Sequence, residues 1–372
     1  MGAGLASGGA TPGKSGAPAP VAISGTYADY RADWLALHDE EVLEPGRVIV
    51  DAHHHVWDLP RPKYMFGELH ADVASGHNVL ATVYVDCRSM YRCDGPIEMR
   101  SVGEVEFANG VAAQSASGGY GPARLCAGIV GNASLAIGAK AQAVLEALMR
   151  SGGERFKGVR QVSAWDADPV VSKPITGRPS GLLGDKTFRQ GFACLGPLGL
   201  SFDAFLFQPQ IPELTDLARA FPGTPIVIDH AGTPLGVGTY AGRKDELFAA
   251  WKSSMAELAR CDNVCVKLGG LGMVVAGFDF HMRAKPPDSV QVAAAWRPYI
   301  ETCIELFGAS RCMFESNFPP DKGTCSYVVL WNAFKRIVSG ASESEKAELF
   351  CRSAARFYRL DLPALEGQGV AK

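Results

Sequence analysis

No stretch of this 372-residue chain approaches the roughly 20 consecutive apolar residues of a membrane span, so no membrane partner is expected. A surplus of one charge is also missing. Lys and Arg number 36 against 39 Asp and Glu, for a net charge of −3. That leaves no basic footprint for nucleic acid and no basic amphipathic helix for a lipid surface. The ten cysteines (Cys87, Cys93, Cys126, Cys194, Cys261, Cys265, Cys303, Cys312, Cys325 and Cys351) form no CxxC pair, which excludes zinc-ribbon spacing and a dense disulfide framework. Several sit in apolar strands, where a free thiol acts as a small hydrophobe, so a reducing, cytoplasmic setting is expected. No glycine-rich phosphate fingerprint opens the first helix, and no organic cofactor is expected. Residues 1–25 have no continuous apolar core. Rich in Gly, Ala, Ser and Pro, they read as a flexible arm rather than a secretory signal.

What is present is ample core material, 47% hydrophobic residues, in a length that suits one large domain over residues 26–372. Tyr27, Tyr30, Trp34 and Leu37 recur at helical spacing, which predicts an amphipathic helix over 27–43, ended by Pro45-Gly46. An apolar strand at 48–51 then runs into His53, His54 and His55, and a Pro- and Gly-punctuated loop covers 59–76. Continuous apolar runs, of the kind buried on both faces of a sheet, follow at 79–86, 124–130, 156–162, 202–207, 225–230, 263–268 and 311–315. Helical patterns separate them, among them 102–114, 141–150 and 212–220, one through Leu247, Trp251, Met255 and Leu258, and one through Trp296, Ile300, Ile304 and Phe307 that stops at Gly308. Two helices close the chain, the last opened by a Ser342/Glu345 capping box. Eight strands alternating with helices predict an α/β fold, a (β/α)8 TIM barrel with an N-terminal helical arm.

Chemistry in such barrels collects where the strands end. The ends carry Asp51, His53 and His55 (first), Asp86 (second), Arg160 (fourth), Gln208 (fifth), Asp229 and His230 (sixth), Lys267 (seventh) and Glu315 to Asp321 (eighth). His53 and His55, two apart on an extended backbone, face the same way, and the barrel brings His230 beside them. Two or three imidazoles with an open position suit a catalytic metal better than a closed structural one. Alternation turns His54 and Asp229 away from the site.

The Asp-x-His-x-His strand, the Ile-Asp-His-Ala-Gly strand and the Phe-Glu-Ser-Asn-Phe-Pro strand, set in this barrel, resemble the amidohydrolase superfamily. They are most similar to its amidohydrolase-2 branch, which includes sugar lactonases, sulfomuconolactone hydrolases and pyrone-dicarboxylate lactonase. The likeness extends over nearly everything from Tyr27 to Leu360. It implies one divalent ion, zinc or manganese, on His53, His55 and His230, and a polar fifth-strand group at Gln208. A second metal is not implied, because the end of the fourth strand offers no clear counterpart of the carboxylated lysine of binuclear members. Where the branch usually has an Asp that serves as ligand and base, this chain has Asn317, whose amide cannot take a proton at neutral pH. The base is then expected among Asp321 first, Glu315, Asp58 and His230. Arg160 and Lys267 either bind a substrate carboxylate or form ion pairs inside the barrel, while Glu315 is expected to face the helices. Tyr64, His281 and Arg283 are expected as pocket walls. The resemblance implies a metal-dependent hydrolase of a lactone of a small acidic molecule, in a homo-oligomer such as a dimer. A non-oxidative decarboxylase of an aromatic or unsaturated acid and a non-catalytic binding barrel are the alternatives.

Overall fold

The computed structural model describes residues 23–24, 26–172 and 179–362. The flexible arm expected over 1–25 therefore lies almost wholly outside the described residues. A two-stranded hairpin, β1 (Ile23–Ser24) and β2 (Tyr27–Ala28), precedes eight strands: β3 (Val48–His54), β4 (Asn78–Val85), β5 (Arg124–Gly131), β6 (Phe156–Arg160), β7 (Ser201–Ala204), β8 (Ile226–Ile228), β9 (Val264–Leu268) and β10 (Cys312–Phe314). All eight pair in parallel and in sequence order from β3 to β10. The barrel closes at the β10–β3 seam. There the Ser316 amide donates to Asp51 Oδ1 (2.8 Å), the Asn317 amide to the His53 carbonyl (2.9 Å), and the His55 amide to the Phe318 carbonyl (2.8 Å). The histidine strand is thus tied directly to the segment that carries Asn317.

The sheet sorts its side chains by face. Ile49, Tyr84, Ile129, Val159, Ile226 and Phe314 pack outward against the helices. Val50, Ala81, Val83, Val130, Val227 and Met313 pack inward, where Ala354, Tyr358 and Leu362 of the C-terminal segment fill the end at which the strands begin. The expected helices are present as Val102–Ala116, Ala141–Gly152, Ile211–Ala220, Lys244–Ala259 and Ser289–Phe307. Gly308 turns the last of these out at φ +76°, and Ser342 and Glu345 form their capping box. No helix among the described residues is long and apolar enough to cross a membrane.

The helix expected over 27–43 is not there: only Ala32–Leu35 is helical. The three aromatic residues of that periodic set instead have separate partners on the barrel surface. Tyr27 stacks on Trp57, Tyr30 meets Tyr64 edge-on, and Trp34 Nε1 donates to the Arg283 carbonyl (3.0 Å). Leu37 is 61% exposed. Tertiary contacts override a weak local preference.

Inside the lumen Lys267 is fully buried, its ammonium 2.7 Å from Asp203 and 3.0 Å from Asp229. Tyr358 donates to the same Asp203 carboxylate (2.7 Å). A buried cation stripped of a partner keeps its desolvation cost, so Asp203→Ala should destabilise the fold by about 3–5 kcal/mol in urea unfolding. Tyr358→Phe, which removes one hydrogen bond, should cost only about 1 kcal/mol. Equal and small losses would show that the lumen ion pairs contribute little.

Candidate active site

His53 and His55 converge as their spacing requires: their Nε2 atoms are 3.2 Å apart. A register shift between Asp51 and His54 interrupts the β3–β4 ladder just before them. His54 is turned away, its Nε2 bonded to Thr82 Oγ1 (2.8 Å). The tautomer of His55 follows from its partner. Nδ1 lies 2.9 Å from the Val85 carbonyl, which can only accept, so Nδ1 carries the proton and Nε2 keeps its lone pair. His230 is set the same way by Glu315, whose Oε1 accepts from Nδ1 at 2.7 Å.

Asp229 and Glu315 correct two expectations, because both face the lumen. Asp229 lies 3.0 Å from Lys267, 3.7 Å from Arg160 and 3.7 Å from His53. Asp229 follows the inward Val227 by two residues, as alternation requires, and His230 joins it on the inside because His230, Ala231 and Thr233 all adopt positive φ (58°, 50° and 43°). Left-handed backbone at such residues costs on the order of 1–3 kcal/mol each and is found where a site over-determines it. The turn lets successive residues, Asp229 and His230, serve one site. Room for it comes from the two residues just after β9: a Cβ on Gly270 would fall 2.3 Å from the His230 ring, and one on Gly269 2.5 Å from the Glu315 side chain. Glu315 follows the inward Met313 by two residues, so alternation itself was the sign that pointed to it.

Glu315 Oε2 also lies 3.0 Å from His53 Nδ1. Burial alone would raise this carboxyl, yet His230 and His53 bring its pKa to about 2. For His230, burial opposes protonation, but Glu315 and Asp229 outweigh it and raise the pKa. His53 is held well below its ordinary value by burial and the Lys267 ammonium, and His55 by burial and the Arg160 guanidinium.

Arg160 and Lys267 take the ion-pair alternative. Arg160 Nε donates to Asp86 Oδ1 at 2.7 Å and Nη2 to the Asp86 carbonyl, while Nη1 lies 3.3 Å from His53 Nε2. With Asp86, Asp203 and Asp229 around them, both cations are already matched. Asn317, at φ +50°, directs Nδ2 to Asp321 Oδ1 (2.9 Å), and the Gly272 amide holds Oδ2 (3.0 Å). Burial raises the Asp321 pKa to about 7.

Other expected contacts have partners outside the histidine cluster. Tyr64 is fully buried and donates to Asp72 (2.7 Å). His281 and Arg283 offer their carbonyls to Arg31 and Trp34, so they anchor the N-terminal segment. Gln208 Oε1 accepts from the Leu235 amide (3.2 Å) and braces the turn after β8. Asp58 is exposed beside Lys63.

The profile of the amidohydrolase family matches residues 50–360. The chain belongs to the amidohydrolase family. It is similar to protein y4mH of Sinorhizobium fredii, 36% identical over 208 residues, which is 55% of this chain and 61% of that protein. It is similar to an L-fucono-1,5-lactonase of Burkholderia multivorans, 28% identical over 181 residues, 48% of this chain and 58% of that one. The chain thus spans less than two thirds of both relatives. A solved amidohydrolase from Burkholderia multivorans with bound zinc superposes at TM-score 0.65 and 23% identity, over 84% of this chain and 100% of that one, a likeness of fold.

The donor set of this amidohydrolase fits a divalent cation. His53, Asp229 and His230 offer ligand atoms within 4.8 Å of one another, and His55 adds its Nε2 lone pair. The buried carboxylates Asp86, Asp203, Asp229 and Glu315 face the buried cations Arg160 and Lys267, which leaves two negative charges in formal excess. Neither Asp229 oxygen has a hydrogen bond of good geometry. Because Glu315 orients the imidazoles that would bind the ion, Glu315→Gln should weaken zinc or manganese binding about 10–100-fold in equilibrium dialysis. Unchanged affinity would mean that packing alone orients them.

Proposed function

We propose that the chain hydrolyses a lactone or related cyclic ester of a small carboxylate-bearing molecule at the barrel mouth. The observation that carries this reading is the buried carboxylate of Asp321, with a pKa of about 7, held by Asn317 next to a three-histidine cluster. The family and its lactonase-named relative support the same reaction class. A divalent ion, zinc or manganese, on His53, His55 and His230 would supply Lewis acidity toward the carbonyl and a more acidic water.

The chain's own groups do the rest. Asp321 takes the proton of the attacking water, and at neutral pH close to half of it is free base. Asn317 takes no proton; through Nδ2 it fixes the Asp321 carboxylate. Arg160 presents positive charge as the oxyanion develops. Phe205, 5.4 Å from the His230 ring, and Trp57, stacked 5.9 Å from His55, are the apolar walls that exclude bulk water.

Burial raises Asp321, so its base form is populated as pH rises through about 7. Lactone opening, followed by acid release, should show kcat/KM climbing through neutrality to a plateau. Asp321→Asn should lose about 10²–10⁴-fold and the rising limb with it. A profile flat across neutrality would reject Asp321 as base. His53→Ala and His55→Ala should each bring activity close to background. Undiminished rates with no bound metal would sink the metal-assisted reading. Carbon dioxide release from aromatic acids without lactone opening would replace hydrolysis by decarboxylation.

A further inference from the structure

If Arg160 and Lys267 are matched by Asp86, Asp203 and Asp229, a carboxylate on the substrate needs another cation. Arg61 lies in the loop after β3, its guanidinium carbon 4.4 Å from the centre of the Trp57 ring and 5.3 Å from that of Tyr27. These two rings stack on each other at 5.7 Å. They belong to the collar of the mouth: Trp57 stacks on His55, and Tyr27 packs on the cluster of Phe205, Phe207 and Met273, where Phe205 meets His230.

Among the described residues, no carboxylate and no hydrogen-bond acceptor engages the Arg61 side chain. Burial lowers its pKa. Two other cations of the barrel mouth are paired, Lys322 with Asp72 and Arg160 with Asp86. The guanidinium lies within cation–π range of both rings, an interaction that uses none of its five N–H donors.

We propose that Arg61 is the anion anchor of this site: it grips a carboxylate that the substrate carries away from the scissile carbonyl, and so selects acidic lactones over neutral sugar lactones. The inference rests on the lactonase reading for its substrate, and on the unpaired guanidinium for its anion. Tyr27, supplied by the N-terminal hairpin, is part of the anchor.

The test compares two δ-lactones that differ only in a carboxylate or a hydroxymethyl beside the ring, with wild type, Arg61→Met and Arg61→Lys. The acid-over-neutral ratio of kcat/KM should fall about tenfold to a hundredfold in Arg61→Met, the worth of a charge-assisted pair. Arg61→Lys should recover part of it. An unchanged ratio overturns the proposal, because a clip holding the loop would affect both lactones alike. Citrate binding by calorimetry reads the anchor separately. If wild type opens neither lactone, citrate should still bind at least tenfold more weakly to Arg61→Met. Equal binding, or none to wild type, overturns the anchor itself.

Discussion

A carboxylate with no access to water must be matched by protons or cations, and Glu315 is matched by two imidazoles at once, His230 at 2.7 Å and His53 at 3.0 Å. The Oε1 contact orients the His230 ring and pulls the turn after β8 against the end of β10, while Oε2 faces His53 Nδ1, which Lys267 also reaches at 3.1 Å. The rest of the centre is arranged around this demand. Gly269 and Gly270 are small where Glu315 and His230 come close, and three non-glycine residues accept left-handed backbone to place Asp229 and His230 together.

Beneath that carboxylate the lumen is an alternation of charge rather than an apolar filling. Asp203, Lys267 and Asp229 form one buried series, and Asp86 with Arg160 forms a second beside it. Such pairs add little net stability relative to a hydrophobic core, but breaking one is costly. What they contribute is a negative excess under the histidines that attracts a divalent cation, while burial and the Lys267 and Arg160 charges keep protons off His53 and His55. Stability has been exchanged here for a defined electrostatic field.

The barrel and half of the centre were legible as residues in order. Eight apolar runs alternating with helices are enough for the topology, and His53, His55 and His230 sit where strand ends predict. Asp229 is legible from its spacing to the inward Val227, and the positive φ at His230 is what brings the next residue to the same site. Glu315 was accessible from its spacing to Met313 and was misjudged. The tyrosine and tryptophan spacing between Tyr27 and Leu37 mimics a helix, although each aromatic ring answers to a different surface of the barrel. Tyr64, His281 and Arg283 lie in loops, where sequence position says little about which way a side chain turns.

The sequence by itself determined the fold class and the histidine pair, because these depend on residue type and short-range period; Asn317 stood out only through the resemblance to the family. Only the tertiary structure decided which charges are already matched. Whether Arg160 and Lys267 are free, whether Asp321 is buried enough to titrate near 7, and whether Arg61 has a partner are properties of side chains far apart in the chain and adjacent in space. Desolvation and pairing set those properties, and neither is encoded locally.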